Sequence, residues 1–259
     1  MSGLSKDGQI SGSQVPGVLM DNLDLPISPQ PDETTCGPTC LHAVYGYFGD
    51  ERDLADVIAE VPSLSGGGTL GVLLGCHALR SGYRATIYSY KLQIFDPTWA
   101  GLSRRKLADK LRRQLEFKTD EKIRITSEGY LDFLAMGGDV RFADLTGTLL
   151  RRYLRRGPPV IAGLSATYLY GSAREFGPKS EYDDLRGEPA GHFVVLSGYD
   201  MEEREVAIAD PLVNNPLGSH HYYRVRVQRL INAILLGVLT YDANLLIIQP
   251  KRSSHGTRP

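Results

Sequence analysis

Cysteine is scarce in this sequence, which has three such residues in a chain of 259. Three cysteines cannot form the dense disulfide framework of a small secreted domain, and the odd count leaves at least one thiol free. A free thiol indicates a reducing compartment, a reactive cysteine, or both. The composition therefore excludes a disulfide-stapled scaffold and directs attention to the cysteines themselves.

The sequence also lacks an excess of either charge and a long apolar run. It has 29 Lys and Arg against 30 Asp and Glu, a formal net charge of -1. This balance does not favour a nucleic acid or an anionic membrane as the main partner. The longest apolar stretch near the end, LINAILLGVLTYDANLLIIQP, is interrupted by polar residues and reads as a buried helix followed by a strand. We therefore expect no secretory signal, no membrane or nucleic-acid partner, and a cytoplasmic location by default.

Helical patterns dominate the first part of the chain. After Cys36, apolar residues recur at helical spacing, with Thr35 as a candidate N-cap and Gly49 as the stop. Further helices are predicted in DERDLADVIAEV, GVLLGCHALRSG, SRRKLADKLRRQLEF and GTLLRRYLRRG. Strands are predicted in YRATIYSY, PPVIAGLSATYLY, HFVVLSGYD, EVAIADP, YYRVRV and ANLLIIQP, mostly in the last third. This order predicts an α+β fold, in which an N-terminal helical half packs on a C-terminal antiparallel sheet.

A set of residues suited to thiol chemistry is spread along this pattern: Gln30, Cys36, His192 and Asp210. The positive end of a helix dipole favours the ionised form of a cysteine that begins the helix. An imidazole completes the ion pair and later protonates the leaving group, and a carboxylate fixes the ring plane of that imidazole. The side-chain amide of Gln30, beside the backbone N–H of Cys36, would stabilise an oxyanion.

Strand pairing predicts that two of these residues lie close together. His192 begins the strand HFVVLSGYD and Asp210 ends the strand EVAIADP, with a short polar turn between the strands. In an antiparallel hairpin, the start of one strand faces the end of the other. We therefore expect Asp210 to lie beside His192.

The stretches QPDETTCGPTCLHAVYGYFG, GHFVVLSGYD and AIADP together resemble papain-like cysteine peptidases. The similarity is greatest to the bacteriocin-processing, double-glycine group of bacterial thiol proteases, the thirty-ninth cysteine-peptidase family. The resemblance implies a papain-like fold with Cys36 as nucleophile and His192 as base. It further implies Asp210 as the orienting residue and Gln30 as the oxyanion donor.

The resemblance also implies how the chain is divided. We expect a flexible segment at 1–17, a single papain-like catalytic domain at 18–250, and a flexible tail at 251–259. The double-glycine peptidases are more compact than this chain, so the region around 84–150 is interpreted as an insertion. Exporter segments often follow the peptidase part in that group, and none follows here. We therefore expect a stand-alone enzyme.

Two loops are candidates for binding substrate. The glycine-rich stretch SGGGTLG lacks the Lys-Ser/Thr of a phosphate-binding loop, so it is better interpreted as a turn that lines a groove. We assign substrate binding to Gly67, Gly68 and Thr69 in this loop and to Gly191 beside the candidate base. The long polar loop before His192 is typical of a lid or a specificity loop.

Other interpretations of the same residues remain open. Cys40 and Cys76 are most simply core residues, and a zinc site built from the cysteines and His77 would have an unusual spacing. His220 and His221 are interpreted as an exposed pair at a strand edge. The preferred function is a hydrolase for a peptide or amide substrate that needs no metal and no organic cofactor. The alternatives are an acyltransferase that uses an amine or thiol acceptor, and a non-catalytic peptide-binding module. The oligomeric state is left open.

Overall fold

The computed structural model describes residues 21–155, 157–218, 220–240 and 242–251. The segments expected to be flexible, 1–17 and most of 251–259, lie outside these residues. The helices are α1 Cys36–Tyr47, α2 Leu54–Glu60, α3 Gly71–Arg80, α4 Arg104–Gln114, α5 Glu121–Ala135, α6 Gly147–Leu154, α7 Ala166–Tyr170 and α8 Val227–Leu236. None of these described helices combines the length and the apolar character needed to cross a bilayer.

The strands are β1 Asp21–Asn22, β2 Tyr83–Ser89, β3 Asp139–Arg141, β4 Val160–Ser165, β5 Glu175–Phe176, β6 Glu181–Tyr182, β7 Gly191–Asp200, β8 Glu205–Ala209, β9 Tyr222–Arg226 and β10 Asn244–Pro250. The main sheet has the order β3-β2-β10-β4-β7-β8-β9, with β1 paired to β7, and β5 and β6 form a separate hairpin. The pairing of β2 with β3 is parallel, and the other pairings in the main sheet are antiparallel. The α+β class and the antiparallel sheet predicted from the sequence are confirmed.

Both faces of the sheet are covered, and the alternation of side chains along its strands explains why. Val195 and Leu246 belong to a core that includes the buried residues of α1 and α3, whereas Val194 and Leu245 belong to a second core with those of α6 and α8. Successive residues of a strand point to opposite faces, so β7 and β10 each contribute to both cores. This burial explains why HFVVLSGYD reads as a nearly continuous apolar run.

The region 84–150, which the sequence led us to interpret as an insertion, contributes to the main sheet; that it is an insertion relative to other peptidases stays a prediction. This region supplies β2 and β3 to the main sheet, and β2 pairs along its whole length with β10. It also contains α5, which the sequence pattern did not indicate. α5 packs on α3 at Gly75, where an added Cβ would lie 2.8 Å from the ring of Phe133. The region is therefore built into the sheet and the first core.

One strand prediction was too long. PPVIAGLSATYLY was interpreted as a single strand, but β4 ends at Ser165 and the next five residues form α7. The hydroxyl of Ser165 accepts a hydrogen bond from the backbone N–H of Tyr168 at 3.3 Å and so caps the helix. This turn from strand to helix matters for the site, because α7 ends at Tyr170.

Candidate active site

α1 places Cys36 at its first position, with a side chain that is 8% exposed. Thr35 is the N-cap residue, as the sequence predicted, but its side chain makes no capping hydrogen bond to the helix. Its hydroxyl instead exchanges hydrogen bonds with the backbone of Asp32, at 3.2 and 3.3 Å. In a helix the first four backbone N–H groups have no partner within the helix. The thiol therefore lies at the positive end of the α1 dipole, next to the backbone N–H groups of Cys36 and Gly37, whereas Pro38, the third residue of the helix, has no N–H.

The β7–β8 hairpin brings His192 and Asp210 together, as the sequence predicted. His192 is the second residue of β7, and Asp210 directly follows β8. His192 Nε2 lies 2.8 Å from Asp210 Oδ1. Because a histidine ring has two nitrogens, this bond leaves Nδ1 for a second partner.

Electrostatic attraction within this group holds a proton on the imidazole. Burial alone lowers the pKa of His192, but attraction to Asp210 and to Cys36 outweighs burial and raises the pKa to about 10. Burial acts to raise the pKa of Asp210. Attraction to His192 and hydrogen bonds from His192, Tyr223 and the backbone of Leu212 outweigh burial, so the pKa of Asp210 lies below its usual value. The arrangement therefore favours an imidazolium beside an ionised carboxylate at neutral pH.

Two tyrosines that the sequence analysis did not single out complete the surroundings of Asp210. The hydroxyl of Tyr170 donates to Asp210 Oδ2 at 2.8 Å, and that of Tyr223 donates to the same oxygen at 2.6 Å. His221 Nδ1 lies 2.6 Å from the backbone oxygen of Asp210, so this histidine does not belong to an exposed pair as expected. No local pattern marks these residues, because their partner lies on another element.

Gln30 lies on the lead-in segment before α1. Its backbone N–H donates to the carbonyl of Pro211 at 3.0 Å, which ties it to the chain just after Asp210. Its side-chain Nε2 donates to the carbonyl of Asp32 at 2.8 Å. A side-chain amide nitrogen has two hydrogens, so one remains for an oxyanion. Gln30 is not among the described residues that line the cavity at Cys36.

A cavity of about 190 Å³ opens beside Cys36 and His192. The four residues that the sequence analysis assigned to substrate binding, Gly67, Gly68, Thr69 and Gly191, all line it. The 67–69 loop packs closely against α1, since a Cβ added to Gly37 would lie 2.7 Å from Thr69 Cγ2. The remaining lining residues are Glu33, Thr34, Leu64, Leu70, Lys122, Phe193, Thr240 and Asp242.

The long loop before β7 interacts electrostatically with the candidate site through Glu175. It contains the β5–β6 hairpin, and Glu175 of β5 is half-buried. Burial and repulsion from Glu33 act to raise the pKa of Glu175, whereas attraction to His192 acts to lower it, and the net effect is a raised pKa. Glu175 therefore links this loop electrostatically to His192, and the role of the loop as a lid or specificity loop stays a prediction.

Asp242 is a buried carboxyl group at the cavity that sequence reasoning missed. Its Oδ1 accepts hydrogen bonds from the backbone N–H of Gly71 at 3.1 Å and from Asn244 Nδ2 at 2.9 Å. Burial raises its pKa to about 6, although attraction to Lys91 and these hydrogen bonds oppose the rise. The anchored carboxyl group joins the start of α3 to the start of β10.

Asp242 should leave a signature in the pH dependence of stability. Its pKa is about 6 in the folded chain against an ordinary value of 3.8, so the folded state binds more protons between these values. The contribution of Asp242 to the free energy of unfolding is therefore greatest below about pH 4 and is lost as the pH rises through about 6. We expect the free energy of unfolding of the wild type, relative to Asp242→Asn, to fall by about 2–3 kcal/mol between pH 4 and pH 7.

Urea unfolding of both proteins at several pH values checks this expectation. Asp109→Asn is the control, because it removes the same charge from the exposed face of α4. If the free energies of unfolding of the wild type and of Asp242→Asn differ by the same amount from pH 4 to pH 7, Asp242 is not held in the neutral form.

The other two cysteines belong to the core, as the sequence analysis interpreted them. Cys40 is fully buried with Sγ 3.3 Å from the carbonyl of Phe193, and burial raises its pKa well above the usual value. Burial likewise raises the pKa of Cys76 to about 12. Both remain neutral thiols at physiological pH. All three cysteines are free of disulfides.

A model of the peptidase C39-like family matches residues 22–232, which include Gln30, Cys36, His192 and Asp210. The chain belongs to the peptidase C39-like family. Membership supports a peptidase-type function, in agreement with the resemblance found in the sequence. A search of curated proteins found no match to the chain.

Several solved structures are similar to this family member at low identity. The peptidase domain of Streptococcus ComA, a bi-functional ABC transporter involved in quorum sensing, is 13% identical with a TM-score of 0.44, covering 87% of this chain and 98% of that one. A double glycine motif protease from an AMS/PCAT transporter, in complex with the leader peptide, is 14% identical with a TM-score of 0.44, covering 89% and 94%. Xylellain, a cysteine protease from Xylella fastidiosa, is 18% identical with a TM-score of 0.43, covering 89% and 85%. The family assignment rests on the family model alone.

Proposed function

We propose that this protein is a cysteine peptidase or amidohydrolase that cleaves a peptide or amide bond through a thioester acyl-enzyme. The observation that carries the proposal is the position of His192, which is hydrogen-bonded to Asp210 on one side and interacts electrostatically with Cys36. This arrangement supplies a nucleophile, an acid and base, and an orienting group in one place.

In the acylation step, the thiolate of Cys36 attacks the carbonyl carbon of the substrate and forms a C–S bond. The electron pair of the carbonyl moves to oxygen and gives a tetrahedral oxyanion. When the carbonyl reforms, the C–N bond breaks, and the imidazolium of His192 donates its proton to the departing amine. The products of this step are a free amine and a thioester on Cys36.

In the deacylation step, neutral His192 removes a proton from water, and the resulting hydroxide attacks the thioester carbonyl. The C–S bond breaks and releases a carboxylic acid together with the thiolate, while His192 keeps the proton. The thiolate–imidazolium pair is thereby restored. Side chains and water supply every group that this sequence of steps uses.

The oxyanion would be stabilised by the first turn of α1 and by Gln30. The backbone N–H of Cys36 belongs to the set that a helix leaves without internal partners. The second hydrogen on Gln30 Nε2, whose other hydrogen bonds the carbonyl of Asp32, would supply another donor. Such donors contribute most when they are aimed at the charge that develops in the transition state.

An extended peptide fits the cavity wall better than a bulky ligand does. Gly67, Gly68 and Gly191 expose backbone rather than side chains to the cavity. Backbone N–H and C=O groups hydrogen-bond to an extended peptide without regard to its side chains. We therefore place the scissile bond above Cys36, with the flanking residues along the 67–69 loop.

Incubation with a mixture of internally quenched peptides, followed by mass spectrometry, tests the proposal. We expect new termini in the peptides and, after quenching in acid, a hydroxylamine-sensitive acyl group on Cys36. Glycine methyl ester added as an acceptor distinguishes hydrolysis from acyl transfer, because transfer yields the amide of that ester. Cleavage without any dependence on Cys36, or no acylation of Cys36 by any peptide, would overturn the proposal.

A further inference from the structure

Asp210 is a fully buried carboxylate whose two oxygens are both occupied. Oδ1 accepts from His192 Nε2 at 2.8 Å and from the backbone N–H of Leu212 at 2.9 Å. Oδ2 accepts from the hydroxyls of Tyr170 and Tyr223, at 2.8 and 2.6 Å. An ionised carboxylate offers about four acceptor sites, so this arrangement fills them.

The two phenols come from different parts of the fold. Tyr170 is the last residue of α7, which follows the central strand β4, whereas Tyr223 lies on β9 beside β8. The ring of Tyr170 also lies near the imidazole of His192, with 6.2 Å between ring centroids. Donors on two separate elements hold the carboxylate against rotation out of the plane that His192 requires.

The tyrosines act only as donors toward this carboxylate at working pH. Burial and the charge of Asp210 raise the pKa of Tyr170 and of Tyr223 far above the usual value. Each phenol therefore keeps its proton and directs it to Oδ2. A buried carboxylate without such donors tends to take up a proton itself, and a neutral Asp210 would no longer stabilise the imidazolium.

We propose that Tyr170 and Tyr223 are positioning residues that act through Asp210, keeping it ionised and oriented so that His192 stays paired with the thiolate of Cys36. This inference rests on the proposed function, since it assigns the two tyrosines a part in the same site. Neither tyrosine touches the reacting atoms.

Other titratable groups near Asp210 bear on the test. His192 faces it from β7, and the thiol of Cys40 faces it from α1. His221 contacts its backbone oxygen from the segment before β9. Because burial raises the pKa of Cys40 well above its usual value, this thiol keeps its proton and adds no charge beside Asp210 at neutral pH.

The test measures the rate at which iodoacetamide alkylates Cys36 as a function of pH. Tyr170→Phe and Tyr223→Phe each remove one hydroxyl and keep the ring. Loss of a donor raises the pKa of the carboxylate, so Asp210 becomes neutral at a higher pH and the ion pair is lost there. We expect the acid limb of the profile to move about one pH unit upward in each variant, with about a ten-fold slower reaction on that limb.

Two controls separate positioning from a merely structural role. Tyr153→Phe removes a hydroxyl that bonds Tyr88, on the face of the sheet away from Cys36, and should leave the limb in place. In an Asp210→Asn background the tyrosine substitutions should cause no further shift. Tyr223 is only partly buried, so Tyr223→Phe keeps the test available if Tyr170→Phe does not fold.

The outcomes distinguish this inference from the proposed function. If the variants lose thermal stability while the acid limb stays at the wild-type pH, the tyrosines are structural and the inference is wrong. A shift that persists in the Asp210→Asn background would also overturn it. If wild-type Cys36 reacts no faster than the cysteines of the unfolded chain, the proposed function itself fails.

Discussion

Replacing Cys36 by alanine is expected to lower kcat/KM for peptide cleavage by at least about 10³-fold. The substitution removes the atom that we propose forms the acyl bond, and no other cysteine is among the described residues that line the cavity. Cys36→Ser should be nearly as inactive, because a hydroxyl is far more basic than a thiol and does not ionise beside His192. The measurement is the initial rate on an internally quenched peptide that the wild type cleaves.

Cys76→Ala is the matched control for this substitution. It changes the same residue type in the middle of α3, where the thiol contacts the carbonyl of Gly129 rather than the cavity. We expect this variant to retain wild-type kcat/KM, with some loss of thermal stability because a small core cavity is created. Equal activity of Cys36→Ala and Cys76→Ala would mean that Cys36 is not the nucleophile.

Replacing His192 by alanine is expected to lower kcat/KM by roughly 10³-fold or more, by two physical routes. The sulfur of Cys36 loses the cation that would pair with it during attack, and the departing amine loses its proton donor. The free energy of unfolding should also fall, by about 3–5 kcal/mol, because the buried charge of Asp210 loses its partner. Kinetics on the same quenched peptide and urea unfolding measure the two effects.

Added imidazole provides a specific control for the histidine variant. The substitution leaves space beside Cys36, and free imidazole entering that space should restore part of the lost rate to His192→Ala but not to Cys36→Ala. His42→Ala is the matched histidine substitution, since His42 lies on α1 and contacts the carbonyl of Arg52. Loss of activity in His42→Ala as large as in His192→Ala would indicate a general effect on folding.

The central pair of the site was predictable from sequence because local rules determine it. The strands HFVVLSGYD and EVAIADP are joined by a short turn, so their pairing is antiparallel, and this pairing fixes the ends that carry His192 and Asp210. The position of Cys36 was predictable for a similar reason, because the helical spacing of the apolar residues that follow it defines where α1 begins.

The residues that the sequence did not reveal depend on contacts between distant elements. Tyr170 reaches Asp210 only because a helix begins after Ser165, and the apolar run of β4 concealed that turn. Asp242 reaches the cavity because β10 enters the centre of the sheet, between β2 and β4, which no local pattern indicates. The side chain of Thr35 bonds to Asp32 rather than to α1 because two ways of capping a turn compete there.

The most direct test of the proposed pairing of His192 with Cys36 and Asp210 is the protonation state of the His192 imidazole. Nuclear magnetic resonance of protein labelled with nitrogen-15 histidine follows each imidazole through a pH titration, and the spectrum of His192→Gln identifies the signal of interest. We predict that His192 stays protonated through neutral pH and titrates near a pKa of about 10, and that this pKa falls in Cys36→Ala and in Asp210→Asn. A His192 that loses its proton near the ordinary value of 6.5, and that does so equally in all three proteins, would contradict this prediction.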